Sequence, residues 1–279
     1  MELTETPFYP QQRYQCGPAA LATVLAASGV DVGAEDLVSK VYVPARKGSL
    51  QVEMLAATRT SGRIPLVIDG TLAGIVNELE HGRPVVVLQN LGVSMIPRWH
   101  YAVVVGIDGS DDVVVLRSGT ERRRETPIDV FLRTWSRSDF WAFSVMQPGD
   151  KPLGVDRQRY LSAVAGLEEV GMTDDAAAAW RAALDVWPGD PVARFGLGNT
   201  MLELGRAVDA EQVYRQLLAD RPELIVARNN LAIALKEQAR YDEALEEVDA
   251  ALGEVSSPVL REELLDTRRQ ILAARDAPD

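Results

Sequence analysis

The side chains that could form a cysteine–histidine catalytic pair in this chain are one cysteine and two histidines. A nucleophilic thiol needs a base within hydrogen-bonding reach. Cys16 stands just before residues 17–28, an Ala- and Leu-rich segment that predicts a helix ending at Gly29. Unpaired backbone N–H groups and the positive dipole end at a helix start stabilise a thiolate, so we expect a lowered pKa for Cys16. A small buried hydrophobic residue is the alternative reading of a lone cysteine.

The two histidines have different sequence contexts. His81 follows the predicted helix 71–80, where an imidazole meets the negative end of the dipole, and we interpret it as structural. His100 begins the apolar run 100–107, so its ring can stand at the rim of a sheet. A helix-borne cysteine early in the chain and a strand-borne histidine later is the papain layout. We therefore predict Cys16 as nucleophile and His100 as base, with rapid alkylation by iodoacetamide at about pH 6.

A glutamine is the predicted donor of the oxyanion hole. Attack on a carbonyl places negative charge on its oxygen, which a side-chain amide and the nucleophile's own backbone N–H usually stabilise. Gln11, Gln12 and Gln15 all lie shortly before Cys16. Gln11, which follows Pro10, is the predicted donor.

The third member of such a site orients the imidazole. Asp108 lies eight residues along the same strand-like run as His100, roughly 26 Å away at ~3.3 Å per residue, and cannot reach the ring. A hairpin folded at 108–112 instead brings Ser118 opposite His100. We predict that Ser118 accepts the imidazole N–H, with Asn90 as the alternative.

The elements around these residues predict an α+β domain over residues 1–150. Helices come first and strands follow, which favours α+β over alternating βαβ units. Residues 147–156 contain prolines and glycines without apolar periodicity and predict a linker. The predicted helices are 17–28, 49–61 and 71–80, and the predicted strands are 84–90, 100–107, 112–118 and 140–146.

Residues 157–279 carry a repeat with a period of 34 residues. That period, with a small residue, a bulky residue four positions later and a closing proline, is typical of tetratricopeptide repeats. It predicts an all-α solenoid of three units, 157–190, 191–224 and 225–258, with a capping helix from Pro258 onward. The residues in register are Ala176, Ala210 and Ala244; Trp180, Tyr214 and Val248; and Pro188 and Pro222.

The charge of the chain disfavours nucleic acid as a partner. The net charge is −12; residues 1–150 hold 14 basic and 17 acidic residues, and residues 151–279 hold 15 and 24. The acidity of the repeats favours a basic protein partner on their surface. No stretch of about 18 apolar residues predicts a membrane span, and the start of the chain lacks the features of a signal peptide. The chain as written is expected to be soluble, and we predict no metal or organic cofactor.

Two segments carry a resemblance to a known family. PQQRYQCGPAALATVL and HYAVVVGID resemble the bacteriocin-processing, double-glycine-leader cysteine peptidases and their non-transporter relatives. A subgroup that carries PFYPQ, GSLQVEMLAATR, VVVLQNLG and WHYAVVVG upstream of tetratricopeptide repeats is particularly similar.

The resemblance implies a papain-like fold, nucleophile Cys16, base His100, oxyanion donor Gln11 and cleavage after small residues such as a double glycine. Where that family usually has Asp-Pro, this chain has Ser118-Gly119. Relatives in the subgroup are often exported, which implies a periplasmic or lipid-anchored location if a leader has been removed.

The sequence therefore predicts a papain-like cysteine peptidase domain followed by a tetratricopeptide-repeat solenoid. The predicted substrate is a peptide or protein, and the repeats bind the substrate or a partner. The alternative is a weak or inactive papain-like scaffold that binds peptides, since a hydroxyl orients an imidazole less strongly than a carboxylate does. Amide hydrolysis or acyl transfer on a non-peptide substrate uses the same dyad and stays open.

Overall fold

A computed structural model of the chain describes residues 1–11, 15–93 and 95–277. These residues form two compact units, Met1–Met172 and Thr173–Asp279. The first unit takes in the first helix after the linker, Arg157–Glu168, which the sequence assigns to the repeats. The predicted domain boundaries, 1–150 and 157–279, stay a prediction.

A six-stranded antiparallel sheet organises the first unit, in the order β3-β8-β4-β5-β6-β7. A separate two-stranded ribbon pairs β1 with β2. The strands are β1 Tyr42–Val43, β2 Gly48–Ser49, β3 Ile64–Val67, β4 Val85–Asn90, β5 Trp99–Asp108, β6 Val113–Ser118, β7 Glu121–Pro127 and β8 Ala142–Met146.

Helices cover both faces of this sheet. Successive strand residues point to opposite sides, and the buried residues on each side pack against helices. Val103 and Val105 pack with the buried residues of α1, α2 and α3. Ala102 and Val104 pack with those of α4 and α5 on the other face. The helices of this unit are α1 Cys16–Ala27, α2 Ala34–Val41, α3 Gln51–Arg59, α4 Leu72–Glu80, α5 Ile128–Trp135 and α6 Arg157–Glu168.

The α+β prediction is confirmed, and each predicted helix and strand of the first domain lies within about two residues of its observed position. The sequence did not predict helices α2 and α5 or strands β1, β2, β3 and β7. Strand β7 has the sequence ERRRETP, and its side chains are exposed except Thr126. Such a segment lacks the alternation that predicts a strand, and pairing with β6 makes it one.

The second unit is a stack of antiparallel helices. Helices α7, α9 and α11 begin at residues 173, 207 and 241, and α8 and α10 begin at 191 and 225, so the period of 34 in the sequence is the period of the structure. The bounds are α7 Thr173–Val186, α8 Pro191–Glu203, α9 Ala207–Asp220, α10 Ile225–Glu237, α11 Tyr241–Glu254 and α12 Pro258–Arg275.

Small residues and rings interlock between these helices. A Cβ added to Gly196 would lie 2.4 Å from the Trp180 ring, and one added to Gly198 would lie 2.6 Å from the Tyr214 ring. Ala210 and Ala244 in the predicted register are fully buried. The predicted repeat architecture is therefore confirmed in this unit. Throughout the described part of the chain, no helix is both long enough and apolar enough to span a bilayer.

Candidate active site

Cys16 is the first residue of α1, the central buried helix of the first unit. Its side chain is half-buried and packs against the core beneath the sheet. Gly17 allows the ribbon to approach this helix start closely, because an added Cβ would lie 2.1 Å from Ser49 Oγ. Because Gly17 has no side chain, β2 can pack directly against the start of α1, next to Cys16.

His100 is the second residue of β5 and stands opposite Gln89 of β4. Its Nε2 lies 2.8 Å from Oγ of Ser118, the last residue of β6. Ser118 is buried, with 3% of its surface exposed. The hairpin between β5 and β6 brings these two side chains together, as the sequence indicates, although a bulge between Val104 and Gly106 shifts the register.

Asn90, the alternative orienter, makes different contacts. Its Oδ1 accepts hydrogen bonds from the backbone N–H groups of Gly92 and Arg98, at 3.0 and 2.9 Å. The Asn90 side chain thus holds the loop between β4 and β5 in place. Asp108 lies at the far end of β5 from His100 and accepts from Ser110.

Gln11 forms hydrogen bonds with the backbone next to His100 and next to Ser118. Its Nε2 donates to the backbone carbonyl of Tyr101 at 3.3 Å, and its backbone N–H donates to the carbonyl of Gly119 at 2.9 Å. Those carbonyls belong to the residues that follow His100 and Ser118. Gln15 precedes α1 without a side-chain capping bond, and Gln12 lies outside the described residues.

Gln11, Cys16 and His100 line one cavity of about 900 Å³. The same cavity is lined by apolar side chains, among them Leu50, Leu88 and Trp99, which is half-exposed. It is also lined by the basic side chains Arg46, Lys47, Arg98 and Arg137. Sequence reasoning missed the basic residues, because they come from separate segments and no local motif connects them.

The prediction of a lowered pKa for Cys16 is wrong. Burial raises the pKa of the Cys16 thiol above its ordinary value and outweighs the backbone N–H groups of Tyr101, Gly17 and Cys16, which lower it. The helix start acts on the sulfur as expected, but desolvation of the thiolate is the larger effect. The contribution of Tyr101 also shows that its amide, next to His100, lies close to the sulfur.

His100 is a neutral imidazole at pH 7. Burial, together with the nearby positive charges of Arg124 and Arg98, lowers its pKa to about 4. Both members of the predicted pair are therefore uncharged in the free protein: the thiol holds its proton and the imidazole is in its basic form. We therefore expect iodoacetamide to alkylate Cys16 slowly at about pH 6 and faster towards alkaline pH.

His81 lies apart from this site. It caps the end of α4 as an exposed side chain, and its Nδ1 lies 2.7 Å from the backbone carbonyl of Asn77. Within the described ranges, no group of three or more His, Cys, Asp or Glu side chains is placed to hold a metal ion. The prediction of chemistry without a metal or cofactor stays a prediction.

A helix-borne cysteine and a strand-borne histidine that share a cavity in an α+β unit define the class of papain-like cysteine peptidases. The profile of the Peptidase_C39 like family matches residues 3–142. The chain belongs to the Peptidase_C39 like family. A second profile, for the tetratricopeptide repeat, matches residues 167–224.

Individual proteins resemble one part of the chain each. A curated relative, the peroxisomal targeting signal receptor of Kluyveromyces lactis, is 34% identical over 120 residues, which are 40% of this chain and 21% of the receptor. The chain thus spans about a fifth of the receptor's length.

Two solved structures are each similar to part of the chain. A putative C39-like peptidase from Bacillus anthracis has a TM-score of 0.44 and 15% identity, covering 52% of this chain and 96% of its own. The Sgt2 tetratricopeptide domain from Aspergillus fumigatus has a TM-score of 0.39 and 19% identity, covering 46% of this chain and 89% of its own.

Proposed function

We propose that the first unit is a cysteine peptidase that hydrolyses peptide bonds with Cys16 as nucleophile and His100 as base. The observation that carries the proposal is the convergence of Gln11, Cys16 and His100 on one cavity in a member of this family. By the resemblance, the preferred bonds follow small residues such as a double glycine.

The neutral state of the pair defines the first step. His100 takes the Cys16 proton as the sulfur attacks the substrate carbonyl, so proton transfer accompanies attack and no preformed ion pair is needed. Ser118 Oγ, at 2.8 Å from Nε2, accepts the Nε2–H and leaves the Nδ1 lone pair to receive that proton. Ser118 is thus a positioning residue for the base.

The tetrahedral intermediate places negative charge on the former carbonyl oxygen. Gln11 uses one amide N–H for the Tyr101 carbonyl, and the second N–H of the same group serves the oxyanion together with the backbone N–H of Cys16. The protonated His100 then donates to the departing amine, which leaves a thioester on Cys16. A water molecule deprotonated by His100 hydrolyses the thioester and restores the thiol.

Single substitutions in the full chain test this assignment. The purified protein is incubated with a peptide library, and new termini are identified by mass spectrometry. Cys16→Ala and His100→Gln should each abolish cleavage, because the first removes the nucleophile and the second removes the base. His81→Gln is the matched control, since His81 is an exposed helix cap, and it should cleave like the unmodified chain. Equal cleavage by the unmodified chain and Cys16→Ala would overturn the proposal.

A peptide-binding module without turnover is the second candidate. Two observations favour it: the uncharged Cys16 and His100 pair and a serine hydroxyl in the orienting position. The same library separates the candidates, because a binding module would retain peptides without producing new termini. Its affinity for them would be unchanged in Cys16→Ala.

The repeats supply a second binding surface. Tetratricopeptide repeats generally mediate protein–protein interaction, and residues 151–279 hold 24 acidic against 15 basic residues. We propose that a basic protein or peptide segment binds there. Binding of a Lys-rich peptide to the full chain should weaken with added salt, and salt-independent binding would contradict an electrostatic contribution.

A further inference from the structure

The cavity that holds Cys16 differs in charge from the rest of the molecule. The whole chain has a net charge of −12. Among the described residues that line the cavity, however, four are basic and one is acidic. The basic residues are Arg46, Lys47, Arg98 and Arg137, and the acidic residue is Asp139.

The four cations do not use their charge on neighbouring carboxylates. Arg46, Lys47 and Arg98 form no ion pair with a described residue. Arg137 donates from Nη1 to the backbone carbonyls of Asn90 and Gly92, which fixes the side chain without neutralising it. The cavity therefore has basic groups available to a ligand.

These cations reach the cavity from separate parts of the fold. Arg46 and Lys47 lie in the turn between β1 and β2, Arg98 immediately precedes β5, and Arg137 follows α5. A concave site lined by one sign of charge concentrates the field inside it. Burial is the main cause of the lowered pKa of His100, and the positive charges of Arg124 and Arg98 lower the same pKa, which agrees with a positive potential beside the cavity.

We infer that this cavity selects peptide substrates that carry aspartate or glutamate side chains beside the scissile bond. The inference rests on the proposed peptidase function and names the substrate class of that site. Substrate carboxylates would accept charge-assisted hydrogen bonds from Arg46, Lys47 and Arg98. They would also offset the part of the lowered pKa of His100 that comes from Arg124 and Arg98, while the larger effect of burial would remain.

A peptide fits these observations better than an anionic membrane surface does. The neighbouring loop exposes Met95 and Ile96, at 93% and 70%, and apolar side chains beside cations also suit a lipid interface. The cations, however, line a concave cavity that contains Cys16, and a concave site suits a chain that enters it rather than a flat surface.

Binding to the Cys16→Ala chain tests the inference without requiring hydrolysis. The probes are two labelled peptides, each with a central Gly-Gly pair, flanked by Asp in one and by Asn in the other. Fluorescence anisotropy should give about tenfold tighter binding of the Asp peptide at low ionic strength. This preference should shrink as salt is added, because salt screens exposed charges.

A double substitution, Arg46→Gln with Lys47→Gln, tests the residues themselves. These two are chosen because they do not contribute to the pKa of His100. The double variant should bind the Asp peptide nearly as weakly as the Asn peptide. Arg133→Gln is the matched control, since Arg133 is 64% exposed and paired with Asp129 on α5, away from the cavity lining, and it should keep the full preference.

The outcomes separate the inference from the proposed function. Equal affinity for the two peptides, or a preference that is undiminished in the double variant, would overturn the inference even if the unmodified chain cleaves peptides. A preference that the double variant loses supports it, and absence of cleavage by the unmodified chain would then count against the peptidase function alone. Binding to phosphatidylserine vesicles, with neither peptide bound, would assign the cations to a membrane surface and also overturn it.

Discussion

The basic side chains of the repeat unit and those of the cavity that holds Cys16 are used in opposite ways. In the repeats, Glu211 accepts hydrogen bonds from Arg215 at 2.8 Å and Gln238 at 2.9 Å, and also from Arg240. In the cavity, Arg46 and Lys47 have no carboxylate partner among the described residues. Paired charges hold helices together, whereas unpaired charges inside a cavity are available to a ligand.

The largest effect on stability is expected at Gly17, where α1 and β2 of the first unit meet. Gly17→Ala should destabilise the protein by about 3 kcal/mol, because the new Cβ overlaps Ser49 Oγ in a well-packed region. Adding Ser49→Gly should recover part of the loss. Urea unfolding at neutral pH measures both effects.

Gly253→Ala in α11 is the matched control from the repeats. Nothing lies within 4 Å of the position where its Cβ would be, so the change should raise stability by up to about 1 kcal/mol through helix propensity. If Gly17→Ala is as harmless as Gly253→Ala, the close approach of β2 to α1 does not position Cys16.

Removing a paired carboxylate should have the next largest effect. Burial raises the pKa of Glu211, but hydrogen bonds from Arg215, Gln238 and Arg240 outweigh it and hold the pKa below its ordinary value. Glu211→Ala should therefore cost about 2 kcal/mol, because it leaves partners of a buried acceptor unsatisfied. Glu223→Ala, at an exposed pair 3.7 Å long, should cost less than about 0.5 kcal/mol. Equal losses of stability in Glu211→Ala and Glu223→Ala would contradict the view that the Glu211 pairs support the fold more than an exposed pair does.

The depressed pKa of His100 predicts a pH-dependent stability. The imidazole titrates at about 4 when folded, against 6.5 ordinarily, so the unfolded chain binds the extra proton between those values. This contribution is complete above about pH 6.5 and is lost as the pH falls towards 4, by at most about 1.4 kcal/mol per pH unit. Urea midpoints across this range should show the slope, and His100→Gln should show less of it. An unchanged slope in His100→Gln would show that the imidazole is not buried as described.

Neutralising the cavity cations should have the smallest effect on stability. Arg46 and Lys47 are exposed and unpaired among the described residues, so Arg46→Gln with Lys47→Gln should change the free energy of unfolding by less than about 0.5 kcal/mol. Thermal unfolding of the double variant beside Glu211→Ala makes the comparison directly. A loss as large as that of Glu211→Ala would mean that these cations support the fold.

The sequence by itself determined the repeats and limited the candidates for the reactive residues to a few side chains. Tetratricopeptide helices pack against their sequence neighbours, so a period of 34 residues specifies their lengths and contacts without long-range information. A chain with one cysteine and two histidines also leaves few choices for a dyad. Ser118 lies beside His100 as the sequence predicts, because the pairing of two strands joined by a short hairpin depends on local sequence.

Only the tertiary structure decided the electrostatic state of the site. The helix start predicts an acidic Cys16, but the side chains and sheet that bury the sulfur come from distant segments, and their desolvation raises its pKa. The basic lining is likewise non-local, because Arg46, Arg98 and Arg137 meet only when the sheet and its covering helices assemble. The residue types decide which groups can react. Whether those groups are charged depends on their burial and on the electrostatic field around them, and both arise only when the whole first unit has folded.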